Sequence, residues 1–353
     1  MTPAAFAIPG DIATLTGGYI YERRLLEGLR AAGRDVRHLQ LGDSFPDPTP
    51  AHMADAVARL AALEPERVLI LDGLVFGAID PAGLAQVRAP VVAMIHHPLA
   101  LESGLDAARK AHLFETERAN LALTAHVLVP SPHTATVLER DYGVAADRIT
   151  IARPGTDPPA GPSAPVTPPL ILSVGIQHPR KGHDVLLAAL ARLVHLDWQA
   201  VIVGARHDPD HAAALARLHA ALGLRGRVRL AGRVPQEELG RLYRQAGLFA
   251  LATRYEGYGI VFDEALAHGL PIVSCRTGAV PETVPADAGV LVPPDAPDAL
   301  AAALGHLLTD PAARAARATA AARAGAALPE WPDTARIAGR VLDAIDAMTP
   351  GRG

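Results

Sequence analysis

Thr253-Arg-Tyr-Glu-Gly-Tyr-Gly-Ile-Val-Phe-Asp-Glu264 lies between two apolar segments of different kinds. Before it, Leu248–Ala252 (LFALA) is a short apolar run of the sort that forms a buried parallel strand. After it, Ile260–His268 has the apolar spacing of a buried helix start, and Gly269 and Pro271 stop that helix. The order is therefore strand, glycine loop, helix N-terminus. Gly257, Tyr258 and Gly259 form the loop, and the first helical N–H groups belong to Ile260 and Val261. Such an order aims backbone donors and the positive end of a helix dipole at one spot, which suits a phosphate. Glu256 precedes the helix and Glu264 lies inside it, eight positions on. Carboxylates accept hydrogen bonds, so they suit hydroxyls rather than phosphates. A ligand made of sugar, diphosphate and ribose fits this layout, with one Glu for each sugar. Two Glu at this spacing also arise by chance in many helices, and the motif alone leaves both readings open.

The run continues as EGYGIVFDEALAHGLPIVSCRTGAVPETVPADAGVLVPP. It resembles the signature region of the retaining family-four (group 1) glycosyltransferases, which have the GT-B fold. Glu256, Gly257, Tyr258, Gly259, Ile260, Glu264, Ala265, Gly269, Pro271, Gly278, Pro281 and Glu282 stand where that signature puts them. The resemblance implies an α/β architecture of two Rossmann-like parallel-sheet domains facing a central cleft. It implies a hexosyltransferase-type enzyme of glycan biosynthesis. Such an enzyme moves a sugar from a nucleoside-diphosphate sugar to an acceptor hydroxyl with retention of configuration. The acceptor would be a glycan, a lipid-linked sugar or a small molecule. No metal is expected and no cofactor, the nucleotide sugar being a substrate. Glu256 would face the transferred sugar and Glu264 the ribose.

Composition sets bounds on this reading. The 353 residues suffice for two domains with two full cores. No apolar run approaches the length of a membrane-spanning helix. The first twenty residues hold Pro9 and Asp11 and lack a basic n-region, so no signal peptide is expected. The single cysteine, Cys275, follows an apolar strand and reads as a buried, inert thiol in a reducing cytoplasm. Residues 1–150 carry 13 Lys+Arg against 18 Asp+Glu, which excludes the basic face of a nucleic-acid binder. The same acidity leaves only a weak peripheral membrane contact.

Taken in order, Ala4–Ile8 reads as a strand, followed by a turn-rich segment with Gly17-Gly18. Tyr19–Ala32 has helical spacing and Val36–Leu41 is a second strand, so the chain opens as a βαβ unit with a parallel sheet. A glycine pair after a first strand lets the backbone approach a ligand, or simply makes a turn. It is not a G-x-G-x-x-G dinucleotide fingerprint. In the resembled family this loop borders the donor diphosphate and the acceptor. Arg67–Leu71 and Val91–Ile95 are further buried strands, with Asp72 and His96-His97 at their ends. Adjacent histidines on an extended segment point to opposite sides, so they make a poor metal pair. The resemblance places His96 near the reacting sugar and acceptor, and leaves His97 structural. Ser131 is expected to cap a helix.

The first domain is expected over 1–157, a stiff Pro-rich linker over 158–169, and a nucleotide-sugar-binding domain over 170–330. A last helix, about 331–348, is expected to pack back on the first domain. The second sheet opens at Leu170–Val174 and leads into GIQHPRKGHDVLLAAL, again strand, loop and helix. The chain has two lysines, Lys110 and Lys181, against 31 arginines. Where arginine is the default cation, a loop lysine suits a compact charge on a phosphate, although chance also explains it. Lys181 matches the lysine of the family's R-K-G loop. Many relatives carry an arginine where Ile176 stands, so Arg180 or Arg233 would have to supply that charge. His207-Asp-Pro-Asp-His211 imitates a metal motif, but the run opens a helix, where Asp and Pro are ordinary first-turn residues. No other clustered carboxylate or histidine set is visible. The family holds its nucleobase near the turn Gly232-Arg233-Val234. The segment 311–327 reads as a surface helix. Two other classes remain open: a nucleotide-sugar epimerase or sugar phosphorylase on the same fold, and a non-catalytic nucleotide-sugar-binding protein. A phosphorylase would need a cofactor-binding lysine, and neither lysine has that context.

Overall fold

The apolar runs form two six-stranded sheets in which every pairing is parallel. In the computed structural model residues 1–348 are described. The chain divides into two compact units, which are taken separately. The first holds Met1–Gly155 and the C-terminal helix, and the second holds Thr156–Leu328.

In the first unit the strands are β1 (Ala4–Pro9), β2 (Val36–Leu41), β3 (Val68–Asp72), β4 (Val91–Met94), β5 (His126–Val129) and β6 (Ile149–Ile151). Their order is β2-β1-β3-β4-β5-β6. The central strands β1, β3 and β4 are buried along their whole length, which is why they read as continuous apolar runs rather than alternating ones. Gly17 and Gly18 are not in a turn. They are the first two residues of the helix Gly17–Ala31, whose inner face is Tyr21, Glu22, Leu25, Leu26 and Leu29. The last helix, Trp331–Met348, packs against it. There Arg34 makes a 2.5 Å ion pair with Asp343, and Thr334 donates to the Arg153 carbonyl at 2.6 Å.

In the second unit the strands are β7 (Leu170–Val174), β8 (Gln199–Val203), β9 (Val228–Gly232), β10 (Ala246–Leu251), β11 (Ile272–Cys275) and β12 (Gly289–Val292). Their order, β12-β11-β10-β7-β8-β9, reverses direction between β10 and β7. Ligands of open α/β sheets sit outside the strand carboxyl ends at such a reversal. Residues 158–169 carry no helix or strand. They are pinned to this unit by the Ala164 and Val166 N–H groups, which donate to Arg244 and Gln245 carbonyls at 2.8 and 3.1 Å. The helix Pro311–Gly325, expected on the surface, buries Ala320 and Ala321 against the helix Ile260–Ala267. Ser131 and Asp208 cap their helices by accepting from the N–H groups of Thr134 and His211. Among the described residues no helix is long and apolar enough to cross a membrane.

Gly182 joins the loops that follow β7 and β10. Its φ is +62°, and a Cβ there would meet the Ala252 carbonyl oxygen at 1.9 Å. Both obstacles are backbone, so no side chain can move aside. Gly182→Ala is expected to destabilise the protein by roughly 2–4 kcal/mol, read as a lower urea midpoint. A midpoint unchanged from wild type would mean that the two loops are not in this contact.

Candidate active site

The loops after β7 and β10 bring together the residues singled out in the second unit. Lys181 ends a short 3₁₀ turn, Pro179–Lys181, just ahead of the helix His183–Ala191. Its Nζ lies 2.6 Å from Glu256 Oε1. Arg180 Nη1 lies 3.4 Å from Glu256 Oε2 and donates to the Tyr255 carbonyl at 3.0 Å. The Thr253 hydroxyl donates to Glu256 Oε1 at 2.9 Å. Glu256 is only 4% exposed. Burial alone would raise its pKa, but the charges of Lys181 and Arg180 and the hydrogen bonds from Lys181 and Thr253 hold it below the usual range. The sequence reading gave Glu256 to a sugar and Lys181 to a diphosphate. The fold joins them in one ion pair.

The helix Ile260–Ala267 starts at Gly259, whose φ of +92° and missing side chain leave the helix uncapped. The N–H groups of Ile260 and Val261 donate to no acceptor among the described residues. The other loop's helix likewise has no side-chain cap at its Gly182 start, but its first turn carries an acidic side chain tied up in an ion pair. Asp184 in its first turn is bound by Arg254 at 2.8 Å, and Arg254 also pairs with Asp295 at 2.7 Å. The open donor end thus belongs to Ile260–Ala267, with Gly257, Tyr258 and Gly259 leading into it. Glu264, one turn on, accepts from the Tyr243 hydroxyl at 2.6 Å. Arg233 follows β9, the edge strand, and is exposed, with no contact to this cluster among the described residues. Arg180 is therefore the second cation here. Gly232 and Val234 share that edge position. Cys275 is buried, and burial pushes its thiol up to about 11, as expected of an inert residue.

In the first unit the fold builds a cluster at the carboxyl ends of β3 and β4. Glu22, Asp72 and His96 each place a ligand-type atom within 4.8 Å of the others. This corrects the expectation that no such set exists, and its spacing could hold a metal ion. His96 Nε2 is 3.3 Å from Glu22 Oε1, and its ring is packed edge-on to Tyr21. Gly18 lies against that ring, where a Cβ would be 3.4 Å from it. A Cβ on Gly17 would meet nothing within 4 Å. His97 instead bonds Glu102 at 3.2 Å, in keeping with a structural role. Asp72 accepts from the Leu74 N–H at 2.9 Å. Burial raises Glu22 to about 7, and its hydrogen bond with Asp72 opposes the rise. Burial also raises Asp72 well above its usual range, helped by the charge of Glu22. Both buried carboxyls are thus held above the ordinary carboxylate range. His96 is lowered by burial, with the charge of Asp72 acting against it.

Residues 159–324 match the family model "Glycosyl transferases group 1", and residues 19–159 match "Glycosyltransferase Family 4". The chain belongs to the group 1, family-four glycosyltransferases. The D-inositol 3-phosphate glycosyltransferase of Xylanimonas cellulosilytica is 36% identical to it over 216 residues, 56% of this chain and 52% of that protein. The MMP alpha-(1->4)-mannosyltransferase of Mycolicibacterium hassiacum is 30% identical over 247 residues, 65% of this chain and 59% of that protein. The chain thus spans little more than half the length of these curated relatives. Its fold is GT-B. The sucrose-phosphate synthase of Thermosynechococcus elongatus superposes with a TM-score of 0.83 at 23% identity, covering 99% of this chain and 100% of that one.

Glu22 was not among the residues expected from sequence, yet it left a signal there. It shares a helix face with Leu25, Leu26 and Leu29, and a lone carboxylate on an apolar face marks a buried polar site. Because its folded pKa lies above the ordinary 4.5, its contribution to stability is complete below that value and is lost as pH rises to about 7. Glu22→Gln keeps a donor for Asp72 and an acceptor for His96 but cannot ionise. Urea titrations are expected to show a gain of roughly 2–3 kcal/mol at pH 8 and almost none at pH 5. A loss at both pH values would mean that the native contact needs an ionised carboxylate.

Proposed function

We propose that this glycosyltransferase moves a hexose from a nucleoside-diphosphate sugar to an acceptor hydroxyl, retaining the anomeric configuration. The observation that carries the reading is the pairing of an uncapped helix start at Ile260 with Lys181 and Arg180 at the same sheet reversal. A diphosphate takes the open N–H groups of Ile260 and Val261 and competes with Glu256 for Lys181. In the reaction the bond from C1 to the diphosphate breaks, and a bond from C1 to the acceptor oxygen forms. The acceptor proton passes to the leaving phosphate oxygen on the same face. Lys181 and the helix N–H groups stabilise the charge that grows on the diphosphate. Glu256 holds hydroxyls of the transferred sugar, and Glu264 holds the ribose. With these groups in place, neither a metal nor a cofactor is needed.

The acceptor is taken at the carboxyl ends of the first sheet, where His96 orients it. The charge there supports a hydroxyl-rich acceptor such as a glycan, a lipid-linked sugar or a small polyol. Burial raises the Tyr19 phenol, and the charges of Asp72, Glu22, Asp43 and Asp11 raise it further, so four carboxyl groups that can accept from hydroxyls gather near one spot. A cytoplasmic setting with at most weak peripheral membrane contact suits these substrates. A panel of nucleotide sugars, scored by binding and by slow donor hydrolysis, tests the reading, and a failure of every donor to bind would refute it. Replacing the acceptor by inorganic phosphate exposes a phosphorylase, and donor interconversion without acceptor exposes an epimerase.

Lys181→Ala is expected to lower kcat by on the order of 10²-fold while donor affinity changes far less, because the charge acts chiefly on the departing diphosphate. A kcat within a few-fold of wild type would remove Lys181 from the mechanism. Transfer is also expected to survive EDTA. If it is lost and then restored by Mg²⁺ or Mn²⁺, Glu22, Asp72 and His96 become the first residues to substitute, ahead of the helix-capping Asp208.

A further inference from the structure

Glu264 is held by a residue from another helix. Tyr243 lies on the helix Gln236–Gln245 and is 2% exposed. Its ring is stacked on His268, with centroids 4.8 Å apart and planes 17° apart. Phe249 also lies nearly parallel to it, at 6.2 Å. These two rings fix the phenol, and its hydroxyl donates to Glu264 Oε2 at 2.6 Å. The second carboxylate oxygen, Oε1, accepts from no group among the described residues. One oxygen is occupied by the protein and the other is left for a ligand hydroxyl.

We propose that Tyr243 is a positioning residue for the nucleotide half of the donor, holding the Glu264 carboxyl group turned toward the ribose hydroxyls. This rests on the reading that Glu264 faces the ribose. The surroundings of Glu264 explain why such a donor is needed. Burial raises its pKa, the hydrogen bond from Tyr243 lowers it, and the charge of Asp157 raises it again, for a net upward shift. His268 Nδ1 is 2.8 Å from the backbone carbonyl of Glu264, not from its carboxylate, so it does not replace Tyr243. Burial lowers the His268 pKa, its hydrogen bond to that carbonyl opposes the fall, and the charge of Arg244 lowers it further. Tyr243, Asp157, His268 and Arg244 are thus the titratable or charged groups that bear on the site. Among the described residues Tyr243 alone donates to the carboxylate. Without that hydroxyl, Glu264 would protonate at a higher pH and lose its orientation.

The test is calorimetric titration of UDP and GDP into the full chain at pH 7.5 and pH 5.5. Tyr243→Phe keeps the ring beside His268 and Phe249 and removes only the hydroxyl. It is expected to weaken binding of whichever diphosphate the wild type takes by roughly 5- to 20-fold at pH 7.5. The loss should be larger at pH 5.5, because affinity falls as pH drops through the Glu264 pKa and the variant's fall begins at higher pH. In a Glu264→Ala background, Tyr243→Phe is expected to add nothing. Wild-type affinity for Tyr243→Phe at both pH values overturns the inference. So does a pH-independent loss that persists in the Glu264→Ala background, since that is the mark of a merely structural ring. If Glu264→Ala itself binds diphosphate as the wild type does, the assignment of Glu264 to the ribose falls, and the inference falls with it. Thermal unfolding of each variant checks that the fold is retained.

Discussion

A carboxylate buried to within 4% of full burial must be paired or it will not stay charged, and Glu256 is paired with Lys181. Much of the second unit is arranged to make that pairing possible. The reversal between β7 and β10 brings two loops side by side, one carrying the cations and the other the carboxylate. Gly182 permits the close backbone approach, and Arg254 ties the β10 loop to Asp184 on the other side. Glu256 is further fastened through its backbone, whose carbonyl accepts from the Ala279 N–H at 2.9 Å. The pair is a charge reservoir. Its cation can be lent to an incoming anion only if the carboxylate finds other donors, and sugar hydroxyls are donors of the required kind.

The first unit solves the opposite problem. Glu22 and Asp72 are buried side by side with no lysine or arginine in their cluster, and burial raises both their pKa values. The two units therefore present different electrostatic faces at the ends of similar sheets. One gathers cations and unpaired N–H groups, the other carboxyls and an imidazole.

How legible this was in the chain depended on the range of the interaction. The strands were readable because a parallel strand covered on both faces must be a short apolar run; Leu170–Val174 falls on the expected residues, and Val68–Asp72 and Val91–Met94 lie within one residue of theirs. The capping roles of Ser131 and Asp208 are local chemistry and were equally readable. Gly17-Gly18 misled because two glycines have poor helix propensity, yet a helix start tolerates them when the helix is held by its buried face. The second cation could not be chosen between Arg180 and Arg233 without the sheet order, which puts Arg233 at the edge. The cluster of Glu22, Asp72 and His96 draws on three elements that only the adjacency of β1, β3 and β4 brings together. Tyr243 carried no signal, since a tyrosine on the inner face of an amphipathic helix reads as ordinary core.

The return of the last helix to the first unit has a consequence for how the protein is made. The second unit is one continuous stretch, Thr156–Leu328, whereas the first is closed only by Trp331–Met348. During vectorial synthesis the later-encoded unit can complete its fold first. The earlier-encoded unit must wait for its final helix, and until then the part of Gly17–Ala31 that this helix packs against is uncovered. Nascent chains stalled shortly before Trp331 thus carry one finished half and one half open to chaperones and to premature association.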